Sequence, residues 1–128
     1  SRPRRTTPVR AVAMLLLLHQ GNILLEKRPA SGIWGGLWSL PEMPANGEAR
    51  AHCAAQLGCE IDTPVALPPL RHGFTHFTLD ILPCRCEVRR FVPHARQPGC
   101  AWFTLERARD AGVPAPVKRL LGRLSADA

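Results

Sequence analysis

Phe74, Thr75 and His76 stand side by side in "LRHGFTHFTLD", residues 70–80, between a glycine and an alternating apolar–polar run. These three types suit contact with a nucleic acid. The Thr75 hydroxyl both donates and accepts a hydrogen bond. His76 can donate to a phosphate or brace its loop. Phe74, carried on a loop tip, has the bulk to wedge between stacked bases. Gly73 permits an unusual backbone turn just before the strand. In the plainer reading, Phe74 enters the core and His76 is a solvated strand residue. Three tryptophans in a small domain read mainly as core. Trp34 is the exception, because glycines surround it in a loop where it can offer a stacking surface.

The charge balance points the same way. The chain of 128 residues carries 17 Lys+Arg against 10 Asp+Glu, a formal net charge of +7, and nearly all the cations are arginine. Arginine suits phosphates and bases better than lysine does, so a polyanion partner is expected. The length fits one domain that buries roughly two-thirds of the surface its unfolded chain exposes, without a staple. Five cysteines, in no C-x2-C or zinc-finger spacing, read as free thiols in a reducing compartment. "MLLLL" is too short to cross a bilayer, so no membrane partner is expected.

The elements that hold these residues are legible in outline. "VRAVAMLLLL" is apolar without helical period, which predicts a buried strand. "HQGN" is a hairpin turn, and "ILLEKRP" is the returning strand. "LWSLP" predicts a short strand and "EMPANGE" a polar loop. Residues 48–57 predict a helix with Ala49, Cys53, Ala54 and Leu57 on one face, closed by Gly58. "DTPVALPPL" is a proline-punctuated connection with one short strand. "FTLDILPCRCEVRRF" is the longest strand, with Phe77, Leu79 and Ile81 on one side and Cys84 and Cys86 sharing a face. "HARQPG" is a loop and "CAWFT" a strand. Thr104 N-caps a helix ending near Gly112, and a last helix carries Pro116 in its first turn. The class is α+β: a mixed sheet between helices. Residues 1–8 read as a polar, Pro-bearing linker that points to tethering, and residues 9–128 as the domain itself.

"GLWSLPEMPANGEARAHCAAQLGCEI" resembles the Nudix box, G-x5-E-x7-R-E-U-x-E-E-x-G-U, whose glutamates hold divalent cations against a diphosphate. Counted back from Gly58, the Arg–Glu pair falls on Ala51 and His52, and the helix glutamates on Ala55 and Gln56. All four are lost, and oxygen ligands for a hard cation go with them. The box is therefore degenerate, no metal site is expected, and no catalytic residue is assigned. Other enzyme signatures, a P-loop, G-x-S-x-G and H-E-x-x-H, are absent.

Together the segments resemble the C-terminal domain of the MutY family of adenine DNA glycosylases. "LLEKRPASGIWGGLWSLPE" is similar to that family's strand–loop–strand entry. "HGFTHFTLDI" is similar to its Phe-Ser-His loop, with Thr for Ser. "WFTLERARDAGVPAPVKRLL" is similar to its ending, and the degenerate box is itself a family trait. The match runs from about residue 9 to residue 124. The resemblance implies a lesion-recognition domain in a bacterial, cytoplasmic base-excision repair enzyme that removes adenine opposite 8-oxoguanine. Catalytic carboxylates and a [4Fe-4S] cluster are expected in the N-terminal glycosylase domain, which is also the expected intrachain partner. Duplex DNA bearing an 8-oxoguanine:adenine mispair is the expected ligand, and a monomer is expected. Phe74, Thr75 and His76 match the recognition loop; Arg71, His72, Arg89 and Arg90 are candidates for phosphate contacts. Two further readings compete: a Nudix-type hydrolase of oxidised nucleotides, and a module that docks a protein.

Overall fold

The computed structural model of the protein describes residues 7–93 and 99–126. Among the described residues, nine strands and three helices follow one another along the chain. The strands are β1 (Val9–His19), β2 (Asn22–Lys27), β3 (Trp38–Ser39), β4 (Glu42–Pro44), β5 (Cys59–Ile61), β6 (Val65–Ala66), β7 (Leu70–Gly73), β8 (Thr78–Phe91) and β9 (Cys100–Thr104). The helices are α1 (Ala49–Gln56), α2 (Leu105–Asp110) and α3 (Ala115–Ala126). The expected mixed sheet between helices is the architecture found.

β1 explains why the central run is apolar throughout. It lies inside the sheet, paired with β2 and β4 antiparallel and with β8 parallel, from Val9↔Thr78 to Leu18↔Glu87. Successive side chains of a strand point to opposite faces. Met14, Leu16 and Leu18 join the core beneath α2 and α3, with Ile81, Val117, Leu120 and Leu121. Ala13, Leu15 and Leu17 join a second core beneath α1, with Leu24, Cys53, Leu57 and Cys86. A strand covered on both faces has no place for polar side chains.

Local signals set the ends of the elements. Gln20 and Gly21 form the two-residue turn between β1 and β2, both with positive φ, 51° and 79°. A tight hairpin turn of this kind requires that conformation, which costs Gly21 little. Glu48 caps α1 rather than opening it: its carboxylate accepts from the backbone N–H groups of Arg50 and Ala51 at 3.1 and 2.8 Å. Gly58 follows the C-cap with φ 63°, the left-handed conformation expected there. Thr104 caps α2 by accepting from the Arg107 N–H at 3.1 Å. Pro116 lies in the first turn of α3.

The structure corrects three expectations. Glu42–Pro44, read as polar loop, is β4; β1 runs alongside and supplies the partners that three residues could not find alone. Ala54 is exposed, whereas Ala49, Cys53 and Leu57 are buried; so short a helix buries only a narrow stripe. Gly73 is not in a turn. It ends β7, paired with Thr78, and its φ is not positive. The expected loop at residues 94–98 lies outside the described residues, as does most of the expected linker.

Candidate nucleic-acid interface

The turn that follows Gly73 is residues 74–77. β7 and β8 pair antiparallel through Leu70↔Ile81, Arg71↔Asp80, His72↔Leu79 and Gly73↔Thr78. The Phe74 N–H then donates to the Phe77 carbonyl at 2.8 Å, closing a hairpin whose two-residue tip is Thr75 and His76. Both tip residues are exposed, and among the described residues neither bonds to another.

The flanking phenylalanines turn inward. Phe74 and Phe77 are half-buried and pack on the core beneath α2 and α3. Their rings stack with centroids 4.6 Å apart and planes 20° from parallel. His72 meets Phe74 edge-on at 4.8 Å. Trp34 covers this pair, 5.5 Å from Phe74 and 5.8 Å from His72. Phe74 is thus a half-buried shoulder of the turn, and the tip proper is Thr75 and His76.

Trp34 reaches this position from a tightly folded loop, residues 30–37. Its φ is 55°, uncommon for a bulky residue. Gly35 makes the fold possible: a Cβ there would lie 2.4 Å from the Ala30 carbonyl oxygen. Backbone bonds from Gly36 to Pro29 and from Leu37 to Trp34 hold the loop. Its glycines therefore serve to place the indole over the hairpin.

The structure separates the candidate phosphate contacts. His72 shares the aromatic face with Phe74 and forms part of its wall. Arg71 lies on the opposite face, where Nε and Nη2 donate to the two Asp80 carboxylate oxygens at 2.7 and 3.2 Å. That pair holds the Asp80 carboxyl below the usual carboxylate range. Arg89 and Arg90 lie at the other end of β8, roughly 40 Å along the strand from the tip at 3.3 Å per strand residue. There they pair with Asp62 at 2.9 Å and Glu60 at 2.7 Å.

One cation near the tip was not singled out from sequence. Arg10 on β1 stands opposite Leu79, and its guanidinium lies over the Phe77 ring, 4.4 Å from the centroid. No local signal marks it. Only the parallel pairing of β1 with β8 brings it there.

The helix that resembles the Nudix box borders a separate cleft of about 360 Å³, lined by Glu26, Glu42, His52, Gln56 and Cys100 among others. Ala51, Ala55 and Gln56 are exposed and His52 is half-buried, so none of the helix positions that hold carboxylates in the box supplies one. Glu42 accepts from Arg28 Nη1 at 2.9 Å. Burial raises the Glu42 carboxyl from its ordinary value although Arg28 opposes it. Cys53, Cys59, Cys84 and Cys86 gather in the core beneath α1, and all five cysteines are free thiols. Among the described residues, no group of three or more His, Cys, Asp or Glu side chains is placed to hold a metal ion.

A two-sided mixed sheet with a loop–helix segment along one face defines the Nudix class. The chain belongs to this family: the NUDIX domain model matches residues 12–123. Within it, the chain is similar to adenine DNA glycosylases. It is 24% identical over 121 residues to the adenine DNA glycosylase of Buchnera aphidicola subsp. Acyrthosiphon pisum, covering 92% of this chain and 34% of that protein. The chain thus spans about a third of the length of this relative. Its fold matches the C-terminal domain of mouse MUTYH, solved in complex with human PCNA, with a TM-score of 0.66 and 21% identity over 91% of this chain and 87% of that one. It also matches a NUDIX hydrolase from Nitrosomonas europaea, with a TM-score of 0.69 and 13% identity over 91% and 88%. The resemblance to the MutY C-terminal domain drawn from sequence accords with these relatives.

Proposed function

We propose that this chain is the lesion-recognition domain of an adenine DNA glycosylase and reads 8-oxoguanine opposite adenine through Thr75. The observation that carries the reading is the exposed Thr75–His76 tip on a hairpin braced by stacked aromatic rings. Guanine offers an acceptor at N7 in the major groove. Oxidation at C8 converts N7 to an N–H donor and adds a carbonyl oxygen. A reader of that change needs an acceptor beside a donor. The Thr75 hydroxyl accepts from N7–H, and a backbone N–H of the tip donates to O8. The Phe74 N–H is already committed to Phe77, which leaves this task to Thr75 or His76. Phe74 and Trp34 hold the tip rigid, and the exposed part of Phe74 supports the unstacked step while adenine is extruded elsewhere. Removal of the adenine, with its catalytic carboxylates and [4Fe-4S] cluster, is assigned to the remainder of a longer glycosylase.

The competing hydrolase reading draws on the Nudix hydrolase neighbour and on Glu26 and Glu42 at the cleft. The missing helix carboxylates weigh against it. The mouse domain's complex with PCNA keeps a protein-docking module in view. The deciding experiment measures binding of the wild type and Thr75→Ala to duplexes with 8-oxoguanine:adenine and guanine:adenine. The expected result is a preference for the oxidised duplex that Thr75→Ala diminishes. An unchanged preference, or magnesium-dependent hydrolysis of an oxidised nucleoside triphosphate, would overturn the reading.

A further inference from the structure

We infer that Arg10 is the phosphate-binding residue of the hairpin surface and clamps a nucleic-acid backbone beside the Thr75–His76 tip. This rests on the proposed function.

Strand register is the first ground. Arg10 stands opposite Leu79 on β8, and Leu79 stands opposite His72 on β7. Alternation along the strands places Arg10, Leu79 and His72 in one row on one face. Phe77 and Phe74 occupy the next row of that face, and the tip lies directly beyond. Arg71, by the same alternation, lies on the other side of the sheet with Asp80.

Charge is the second ground. Of the described arginines on β1, β7 and β8, Arg71, Arg85, Arg89 and Arg90 each pair with a carboxylate, at 2.7 to 2.9 Å. Arg10 faces an aromatic ring instead and, among the described residues, has no carboxylate partner. Its charge is therefore not locally neutralised. An arginine resting on an aromatic ring keeps its N–H edge for a bidentate contact with phosphate oxygens.

Fixation is the third ground. The Thr78 N–H donates to the Pro8 carbonyl at 2.8 Å, tying the start of β1 to the hairpin next to its tip. The contact with Phe77 limits the freedom of the long side chain. Less entropy is then lost when the phosphate is bound. Arg10 is exposed, so a ligand meets no barrier. A phosphate contact there sets register and carries no information about the base. It complements the Thr75 tip, which discriminates.

The test titrates a fluorescein-labelled duplex, with and without the 8-oxoguanine:adenine pair, at 50 to 200 mM salt. Wild type, Arg10→Ala, Arg10→Lys and Arg90→Ala are compared. One lost phosphate contact lowers the slope of log affinity against log salt by about one. The advantage of wild type over Arg10→Ala should therefore shrink about three- to fourfold across that range, equally on both duplexes. Arg10→Lys should restore most of the slope, whereas Arg90→Ala, which removes the same charge at the far end, should leave it unchanged. Equal losses from Arg10→Ala and Arg90→Ala would show diffuse attraction and overturn the inference. If wild type binds with lesion preference and Arg10→Ala binds both duplexes as tightly as wild type at every salt concentration, the Arg10 assignment alone falls. If wild type binds neither duplex, the proposed function falls and this inference with it.

Discussion

Phe74 and Phe77 are joined twice, by a 2.8 Å backbone hydrogen bond and by rings stacked 4.6 Å apart. The backbone bond closes the turn; the stack anchors it to the core beneath α2 and α3. Between them Thr75 and His76 are held out with little freedom to fold back. Most of the consequences for function follow from that pairing.

Thr75→Ala removes the hydroxyl and leaves the hairpin intact, because Thr75 makes no internal bond among the described residues. The preference for 8-oxoguanine:adenine over guanine:adenine should fall by about 1–3 kcal/mol, the range of a good pair of base contacts. Thr75→Ser should retain it. Competitive binding with unchanged thermal stability checks both.

Phe74→Ala should weaken both fold and binding. The ring is half-buried, so the loss should be roughly 2 kcal/mol, below that of a fully buried phenylalanine. A urea titration measures it. Quenched Trp34 fluorescence should accompany it as the indole loses its neighbour. Normal stability together with lost binding would instead show that the ring's role is contact with the ligand alone.

Gly35→Ala tests the loop that carries Trp34. A Cβ 2.4 Å from the Ala30 carbonyl oxygen must displace backbone. The variant should melt below wild type and lose lesion preference as the indole shifts. Gly122→Ala, where nothing meets the added Cβ, is the control and should be neutral or better.

Acid should loosen α1 through Glu48. Backbone N–H groups of Ala51 and Arg50 donate to its carboxylate and lower it from an ordinary value of 4.5. A carboxyl lowered in the folded state binds fewer protons there than in the unfolded chain. Its contribution is thus complete above about pH 4.5 and is lost as pH falls through the lowered value. Glu48→Gln should show a flatter decline in melting temperature from pH 6 to pH 3 than wild type.

Thiol labelling should be selective. Burial and the charge of Glu26 push the Cys100 thiol up to about 11. In Cys53, the bond from Cys59 lowers the thiol, but Cys86, burial and the remaining sulfurs prevail and take it up to about 12. Cys59 is also raised, and Cys53, Cys59 and Cys86 are fully buried. Iodoacetamide at pH 8 should spare these four until the protein is unfolded and reach half-exposed Cys84 first, as read by mass spectrometry.

Elements whose cause is local were legible in the chain. The run at β1, the Gln20–Gly21 turn, the Gly58 helix end, the Thr104 cap and the alternation of β8 each rest on a few adjacent residues. The lost glutamates of α1 were legible for the same reason, since spacing along one helix is local. β4 was not, because a three-residue strand exists only when β1 lies beside it. Nor was the place of Gly73, since the turn begins one residue later than its glycine suggests.

By itself the sequence determined which residues are apolar, where the backbone can turn, and that a hydroxyl and an imidazole follow Phe74. The tertiary structure alone decided which charges are spent. It pairs Arg71, Arg89 and Arg90 with carboxylates and sets Arg10 over Phe77. Those outcomes depend on strand register and on which face a side chain takes, and a shift of one residue in pairing would reverse them.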